Sequence, residues 1–155
     1  MRIKTDYSLI LAQLKAVTES ERDTIANLSN ASAVLNMNLA EINWAGFYLV
    51  RGNQLILGPF QGRPACVRIA FGKGVCGTAA DAGVTQLVAN VHEFPDHIAC
   101  DGASNSEIVV PIHYAGHLVA VLDIDSPVYD RFDAEDRTGL EACAALLGKV
   151  CDWKL

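Results

Sequence analysis

The sequence has few charged residues and no long uninterrupted apolar segment. Charged residues make up 19% of its 155 residues and apolar residues 51%, whereas soluble domains carry roughly 25% charged residues. This composition excludes disorder and indicates a thick core or a buried interface. No apolar run approaches the roughly 20 residues of a membrane span, and the first twenty residues lack the basic and apolar regions of a signal peptide. We therefore expect a cytoplasmic protein without a membrane anchor.

Basic residues are also scarce. Twelve Lys and Arg stand against eighteen Asp and Glu, which gives a formal net charge of −6. Such an acidic balance disfavours nonspecific attraction to nucleic acid or to an anionic membrane, so we expect neither as a partner. The length fits one domain, since domains usually run roughly 100 to 200 residues, and residues 1–155 are predicted to form a single domain.

A Cys-x-x-Cys motif is absent, and the five cysteines are an odd number. A fully paired disulfide framework is therefore excluded within one chain, and in a reducing cytosol the thiols are expected to stay free. Cys143 and Cys151 share one face of the predicted last helix with apolar residues, which predicts core positions. The other three, in turns and loops, are candidates for redox chemistry or metal binding: Cys66, Cys76 and Cys100.

The first third of the chain predicts two helices followed by a strand hairpin. The helices cover residues 5–18 and then run from a Ser20 cap, with Asp23 three residues on, to about residue 40. Period-two patterning then predicts strands over 43–50 and 54–60. In the first helix, the apolar stripe expected to face the core consists of Leu9, Leu11, Leu14 and Val17.

The remainder predicts further strands and two more helices. They are a short strand near Val67 and Ile69, a helix near 75–82, a strand over 85–89, a loop over 92–106, strands over 107–114 and 117–125, and a helix from Asp133. This order predicts an α+β fold with about six mainly antiparallel strands and with the N- and C-terminal helices packed on the sheet.

Two motifs have competing interpretations. Gly72–Gly77 matches the dinucleotide pattern G-x-G-x-x-G with Asp96 about twenty residues later. The predicted helix is short, however, and Asp96 falls in a loop, so we favour a tight glycine turn that packs the helix onto the sheet. Zinc is the second possibility, from the three cysteines together with His92 and His97. Only His97 and Cys100 have the spacing of a zinc-ligand pair, and we favour thiol chemistry with no bound metal.

Carboxylates end the two most regular strands. Alternation places Asp123 and Asp125 on the face of Val119 and Val121. A three-residue loop over 114–116, with Gly116 in the left-handed conformation, would set Glu107 opposite Asp123. Three clustered carboxylates repel one another unless a cation neutralises them. The cluster therefore predicts a site for an ammonium group or a metal, with a solvated strand end as the alternative.

Aromatic residues on the first strand predict the wall of a pocket. Trp44, Gly46 and Tyr48 share one face, and a glycine between two rings indicates that something approaches closely there. With carboxylates nearby, the pocket would suit a small amine with an apolar or sulfur-containing side chain. Ordinary core packing is the alternative.

Six segments, in this order, resemble the free methionine-(R)-sulfoxide reductases, which are stand-alone GAF-domain enzymes. The resemblance extends from about residue 25 to 147 and implies a GAF fold with a six-stranded antiparallel sheet. It is carried by Asn43–Tyr48, Gly58–Gly62, Gly74–Gly77, His97–Asp101, Ser104–Val109 and Leu122–Ser126.

The resemblance also implies roles for individual residues. Cys100 would be the nucleophile and Cys66 the resolving cysteine, while Cys76 matches a third family cysteine. Pocket aromatics would be Trp44 and Tyr48. The substrate amine and sulfoxide oxygen would be held by Glu107, Asp123 and Asp125.

The implied reaction is the reduction of free methionine-(R)-sulfoxide through a sulfenic acid and an intramolecular disulfide. Thioredoxin would be the external reductant, no cofactor would be bound, and the protein would be a cytosolic homodimer. Crowding would keep one carboxyl protonated as the acid, either Glu107 or Asp125. Two alternatives remain: a noncatalytic GAF sensor of a nucleotide or other small molecule, and a thiol redox switch or peroxidase.

Overall fold

The computed structural model describes residues 4–98, 100 and 102–154. Four helices and six strands occur in this part of the chain: α1 (Tyr7–Thr18), α2 (Thr24–Asn38), β1 (Trp44–Arg51), β2 (Gln54–Gly62), β3 (Arg68–Ala70), α3 (Gly74–Ala82), β4 (Gln86–Val88), β5 (Ser106–Tyr114), β6 (His117–Ser126) and α4 (Ala134–Val150). A short 3₁₀ turn covers Val91–Glu93. No helix among the described residues has both the length and the apolarity needed to cross a membrane.

The strands form one sheet in the order β3-β2-β1-β6-β5-β4, with antiparallel pairing throughout. α1, α2 and α4 cover one face with the larger apolar cluster, whereas α3 and the loops around it cover the other face. The predicted α+β fold, with its six-stranded sheet and its N- and C-terminal helices packed on it, is confirmed.

Both N-terminal helices form where they were predicted, but the buried face of α1 and the start of α2 differ from the prediction. α1 buries Ile10 and Leu14, whereas Leu9 and Val17 are 46% and 39% exposed, because the helix is rotated relative to the predicted stripe. α2 does not begin at a Ser20 cap. Asp23 is its N-cap and accepts from the Ala26 amide, since residues 19–22 form the turn after α1.

The predicted start of α4 is confirmed. The Asp133 side chain accepts from the Asp136 amide at 3.0 Å, and the Asp136 side chain accepts from the Asp133 amide at 2.9 Å. These reciprocal bonds form a capping box, which satisfies two backbone donors that a helix start leaves without partners. The helix buries Cys143 and Cys151 completely, as predicted, and burial raises the pKa of Cys143 to about 12.

The turn between β5 and β6 differs from the prediction. Tyr114 pairs with His117, so the loop has two residues, and Ala115 takes φ 51° where a glycine or asparagine is preferred. A register shift follows at Ile112/His113. This bulge in β6 turns Val119 toward the helices and Leu118 toward the opposite face, the reverse of the predicted alternation.

Candidate functional site

The register of the central strands brings the predicted carboxylates together on the α3 side of the sheet. Trp44 pairs with Asp125, and Asp125 pairs with Glu107, so one row across three strands holds an indole and two carboxyls. Asp123 pairs with Val109. The predicted pairing of Glu107 with Asp123 was therefore wrong, because the two-residue turn and the bulge each shift β6 by one residue relative to β5. The predicted shared face holds, since Asp123 and Asp125 are two residues apart.

All three carboxyl groups are buried, with 8%, 5% and 9% exposure for Glu107, Asp123 and Asp125. Burial raises the pKa of Glu107 well above its usual range, and the charges of the two aspartates raise it further. Burial also raises the pKa of Asp123. Like charges cannot all ionise cheaply in such a place. The cluster therefore holds its protons to a higher pH than exposed carboxyl groups do.

Cys76 belongs to α3 and contacts this cluster. Its Sγ donates to Glu107 Oε2 at 3.9 Å, and the side chain is 5% exposed. Burial, followed by the charges of Asp123 and Glu107, raises the pKa of the Cys76 thiol well above its usual range. Cys76 is therefore a neutral thiol while it stays buried beside Asp123 and Glu107.

The other two cysteines of the predicted set form a disulfide. Cys66, between β2 and β3, is joined to Cys100 in the loop before β5, with their Cα atoms 5.3 Å apart. Both side chains are half-buried. This is the pair that the resemblance implied, and the separate role of each sulfur stays a prediction. Asp101, whose charge the sequence placed beside Cys100, lies outside the described residues.

Two aromatic side chains hold the segment that carries Cys66. The Trp44 indole donates to the Arg63 carbonyl at 3.1 Å, and the Tyr48 hydroxyl donates to the Cys66 carbonyl at 3.0 Å. The two rings were predicted as pocket walls. They line the cavity and also fix the backbone beside the disulfide, which the sequence did not indicate.

The gap at Gly46 has a different occupant from the one expected. A Cβ at this position would lie 2.3 Å from Phe60 Cβ, and the Phe60 ring stacks on Trp44 with 5.1 Å between centroids. The close approach was predicted correctly. A neighbouring strand fills the gap, and a ligand does not.

The glycine motif packs a helix onto the sheet. A Cβ on Gly77 would lie 2.4 Å from the Ala70 carbonyl oxygen, and the Gly72 amide donates to the Gly77 carbonyl at 2.8 Å. β3 and β4, which flank α3, lie at opposite edges of the sheet. α3 is thus no crossover between neighbouring parallel strands, the arrangement that the dinucleotide motif requires.

A small cavity joins these groups. Its volume is about 40 Å³. Lys73, Ile98 and Ser104 line it, although sequence reasoning did not single them out. Ser104 accepts from Asn43 Nδ2 at 3.1 Å, and both residues belong to segments that carried the resemblance. The predicted site residues that line the cavity are Trp44, Tyr48, Cys76, Cys100, Glu107, Asp123 and Asp125.

The candidate zinc ligands predicted from the sequence do not form one set. Cys66 and Cys100 are joined in the disulfide and offer no thiolate in this state. His92 Nε2 lies 2.8 Å from Asn105 Oδ1. Burial, with a smaller effect from His92, lowers the pKa of His97.

Comparison with known proteins identifies the family. The family model described as "GAF domain" matches residues 19–151. The "free methionine-R-sulfoxide reductase" of Escherichia coli is 49% identical over 144 residues, which cover 93% of this chain and 87% of the relative.

Two solved structures are similar over nearly the whole chain. One is described as fRMsr of Staphylococcus aureus in the reduced form, with a TM-score of 0.93, 54% identity, and coverage of 96% of this chain and 97% of that one. The other is the free methionine-R-sulfoxide reductase of Neisseria meningitidis in complex with its substrate, with a TM-score of 0.90, 43% identity, and coverage of 96% and 92%. The chain therefore belongs to the family of free methionine-R-sulfoxide reductases, oxidoreductases built on a GAF domain.

Proposed function

We propose that the protein reduces free methionine-(R)-sulfoxide to methionine with Cys100 as the nucleophile and Cys66 as the resolving cysteine. The observation that supports this most directly is the Cys66–Cys100 disulfide, whose Cys100 lines a cavity together with buried carboxyl groups. Relatives named as free methionine-R-sulfoxide reductases, one of them solved in complex with its substrate, also support the proposal.

The cavity has groups that suit both the ammonium group and the carboxylate of a free amino acid. Buried carboxyls of Glu107, Asp123 and Asp125 attract the substrate ammonium group, because a cation relieves their mutual repulsion. Lys73 and the N-terminus of α3 also line the cavity, and positive charge at a helix N-terminus favours a carboxylate. Trp44 and Tyr48 supply an apolar surface for the side chain that carries the sulfoxide.

The chemistry begins at Cys100. Its thiolate attacks the sulfoxide sulfur while a protonated carboxyl donates a proton to the sulfoxide oxygen. The oxygen then passes to the Cys100 sulfur as the bond between the two sulfurs breaks, which releases methionine and leaves a sulfenic acid on Cys100. We assign the acid to Glu107, whose raised pKa keeps its proton near neutral pH. The two electrons come from Cys100, which is oxidised as the sulfoxide is reduced.

The second half-reaction restores the enzyme. The Cys66 thiol condenses with the Cys100 sulfenic acid, a sulfur–sulfur bond forms and water leaves. A dithiol of lower potential, for which we propose thioredoxin, then reduces the disulfide by exchange. Cys76 lies against Glu107 and is proposed to relay the disulfide in this step.

The assembly and location are also proposals. We expect a homodimer, to be checked by light scattering during gel filtration at several concentrations. We expect the protein to act in the cytoplasm, where the described free thiols of Cys76, Cys143 and Cys151 stay reduced.

Replacing the nucleophile tests the proposal. In an assay coupled to thioredoxin and thioredoxin reductase, Cys100→Ser should lose at least about 10³-fold in turnover, because a serine hydroxyl does not reduce sulfur. Cys143→Ala, which removes a buried thiol far from the cavity, should retain activity. Full turnover by Cys100→Ser would contradict the assignment of the nucleophile.

A further inference from the structure

The floor of the cavity holds three potential metal ligands from three different elements. Single donor atoms of Cys76 on α3, Glu107 on β5 and Asp123 on β6 all lie within 4.8 Å of one another. Zinc binds thiolate sulfur at about 2.3 Å and carboxylate oxygen at about 2.1 Å. Small side-chain rotations are therefore enough to bring all three donors onto one ion.

An independent observation concerns one oxygen atom of the cluster. Asp123 Oδ1 is buried and accepts no hydrogen bond from the described residues, although the side chain is only 5% exposed. A buried carboxylate oxygen without a donor costs about 1 to 3 kcal/mol or more. A cation placed against this oxygen would remove that cost.

The charge and the space also fit a divalent ion. The ligands would carry up to three negative charges once a metal displaces their protons, and the repulsion among them would become attraction to the ion. The cavity has about 40 Å³ of free space, whereas one buried water needs roughly 10 to 15 Å³ of such space. It therefore has room for an ion and a water as the fourth ligand of a tetrahedral zinc site.

We propose that Cys76, Glu107 and Asp123 form a zinc-binding site in which Zn²⁺ occupies the place of the substrate ammonium group. The ion is an inhibitor here and not a cofactor, since the carboxyls that it holds are those needed for the substrate. The proposal that the protein binds a metal rests on the arrangement of the three side chains and does not depend on the proposed function. The competition with substrate rests on the proposed function.

Cobalt provides a spectroscopic test. Co²⁺ is titrated into protein whose Cys66–Cys100 disulfide has been verified by peptide mass spectrometry, so that neither of those sulfurs is a ligand. We expect one Co²⁺ per chain, a thiolate-to-cobalt charge-transfer band and displacement of Co²⁺ by Zn²⁺. A titration without that band would overturn the site.

Variants identify the ligands. Cys76→Ser should lose the band, and Asp123→Asn, which keeps the shape of the side chain, should weaken Co²⁺ binding by at least about tenfold. Cys143→Ala and Cys151→Ala are matched controls that should keep both, and circular dichroism verifies the fold of each variant. Retention of the band in Cys76→Ser, or its loss in Cys143→Ala, would refute the assignment.

A separate experiment tests whether the substrate competes with the metal. In the reduced Cys66→Ser/Cys100→Ser protein, methionine-(R)-sulfoxide should decrease the Co²⁺ band more than glycine does at equal concentration, because glycine chelates free Co²⁺ but lacks the side chain. Equal decreases would refute the shared site. If the band appears but wild-type protein reduces no methionine sulfoxide, the proposed function fails and the metal site stands. If turnover is normal and no band appears, the metal site alone fails.

Discussion

Among single residues, Glu107 is a buried carboxyl with a strongly raised pKa and a specific proposed role as the acid. Burial and two neighbouring aspartates raise its pKa, so the folded protein holds a proton that the unfolded chain releases near pH 4.3. Above that pH, the native state binds more protons than the unfolded state. Stability therefore falls as the pH rises toward the raised pKa, by up to about 1.4 kcal/mol per pH unit for this group.

Glu107→Gln should consequently raise the stability of the protein and lower its activity. A glutamine does not ionise in the unfolded chain, so the variant needs no proton uptake to fold at pH 7. It should therefore be more stable at pH 7 by roughly 1 to 3 kcal/mol, with a flatter dependence of stability on pH. Turnover should fall by about 10²- to 10⁴-fold, as expected for loss of a general acid. Urea unfolding at several pH values and the coupled assay measure the two effects.

The exposed Glu93 offers the matched control. Glu93→Gln removes a carboxylate without relieving burial, so neither its stability at pH 7 nor its turnover should change appreciably. A Glu107→Gln variant that is less stable than wild type at pH 7 would show that the carboxyl is satisfied and not strained in the folded protein.

At the scale of elements, periodicity predicted the strands well and their pairing less well. The order of strands and helices followed from apolar spacing and turn residues, and the predicted β5 and β6 end within one residue of those observed. The register could not be derived, because it depends on a two-residue turn with Ala115 at positive φ and on a bulge near residue 119. Neither feature has a strong sequence signal.

The candidate site was also predictable only in part. The shared face of Asp123 and Asp125 follows from a period of two and holds despite the register error. The Cys66–Cys100 pairing came only from the resemblance, because two loops distant in sequence meet through the fold and not through local spacing. The hydrogen bonds from Trp44 and Tyr48 to backbone carbonyl groups likewise could not be predicted, since any residue can supply a carbonyl and the sequence therefore carries no signal for it.

The β5–β6 turn itself provides a prediction. Ala115 has φ 51° and Gly116 φ 80°, as a type I′ turn requires, and this turn favours Asn-Gly. Ala115→Asn should therefore raise the free energy of unfolding by about 0.5 to 1 kcal/mol, because asparagine tolerates the left-handed region better than alanine.

Ala115→Val tests the same argument with the opposite sign. A β-branched residue at positive φ is strained, so this variant should be less stable than wild type, with turnover unchanged in both variants. Chemical denaturation measures the order. Equal stabilities for the asparagine and valine variants would contradict the turn geometry.

At the scale of the whole molecule, the disulfide and the cavity are coupled. With Cys66 bonded to Cys100, the cavity measures about 40 Å³, far below the roughly 300 to 1,000 Å³ of pockets that enclose small ligands. We therefore expect that an amino acid with a sulfoxide side chain does not enter the cavity in this state. Oxidation of the enzyme should therefore expel methionine and bar the next substrate until the disulfide is reduced.

This coupling predicts a redox-dependent affinity. Isothermal titration with methionine should detect binding to the reduced protein and none to the oxidised protein under the same conditions. The reduced Cys66→Ser variant, which cannot form the disulfide, should bind methionine as the reduced wild type does, even after treatment with oxidant strong enough to close the wild-type disulfide. Equal affinities for the two redox states of the wild type would contradict the coupling.

The most direct test of the account is a thioredoxin-coupled assay with the separated R and S epimers of free methionine sulfoxide and with an R-sulfoxide inside a peptide. The family to which the chain belongs predicts turnover of the R epimer, and the carboxyl cluster, which would bind a free ammonium group, predicts turnover of the free amino acid alone, with loss of that turnover in Cys100→Ser. Equal rates on both epimers, or on the peptide, would contradict the central claim that this site recognises a free amino acid with defined stereochemistry.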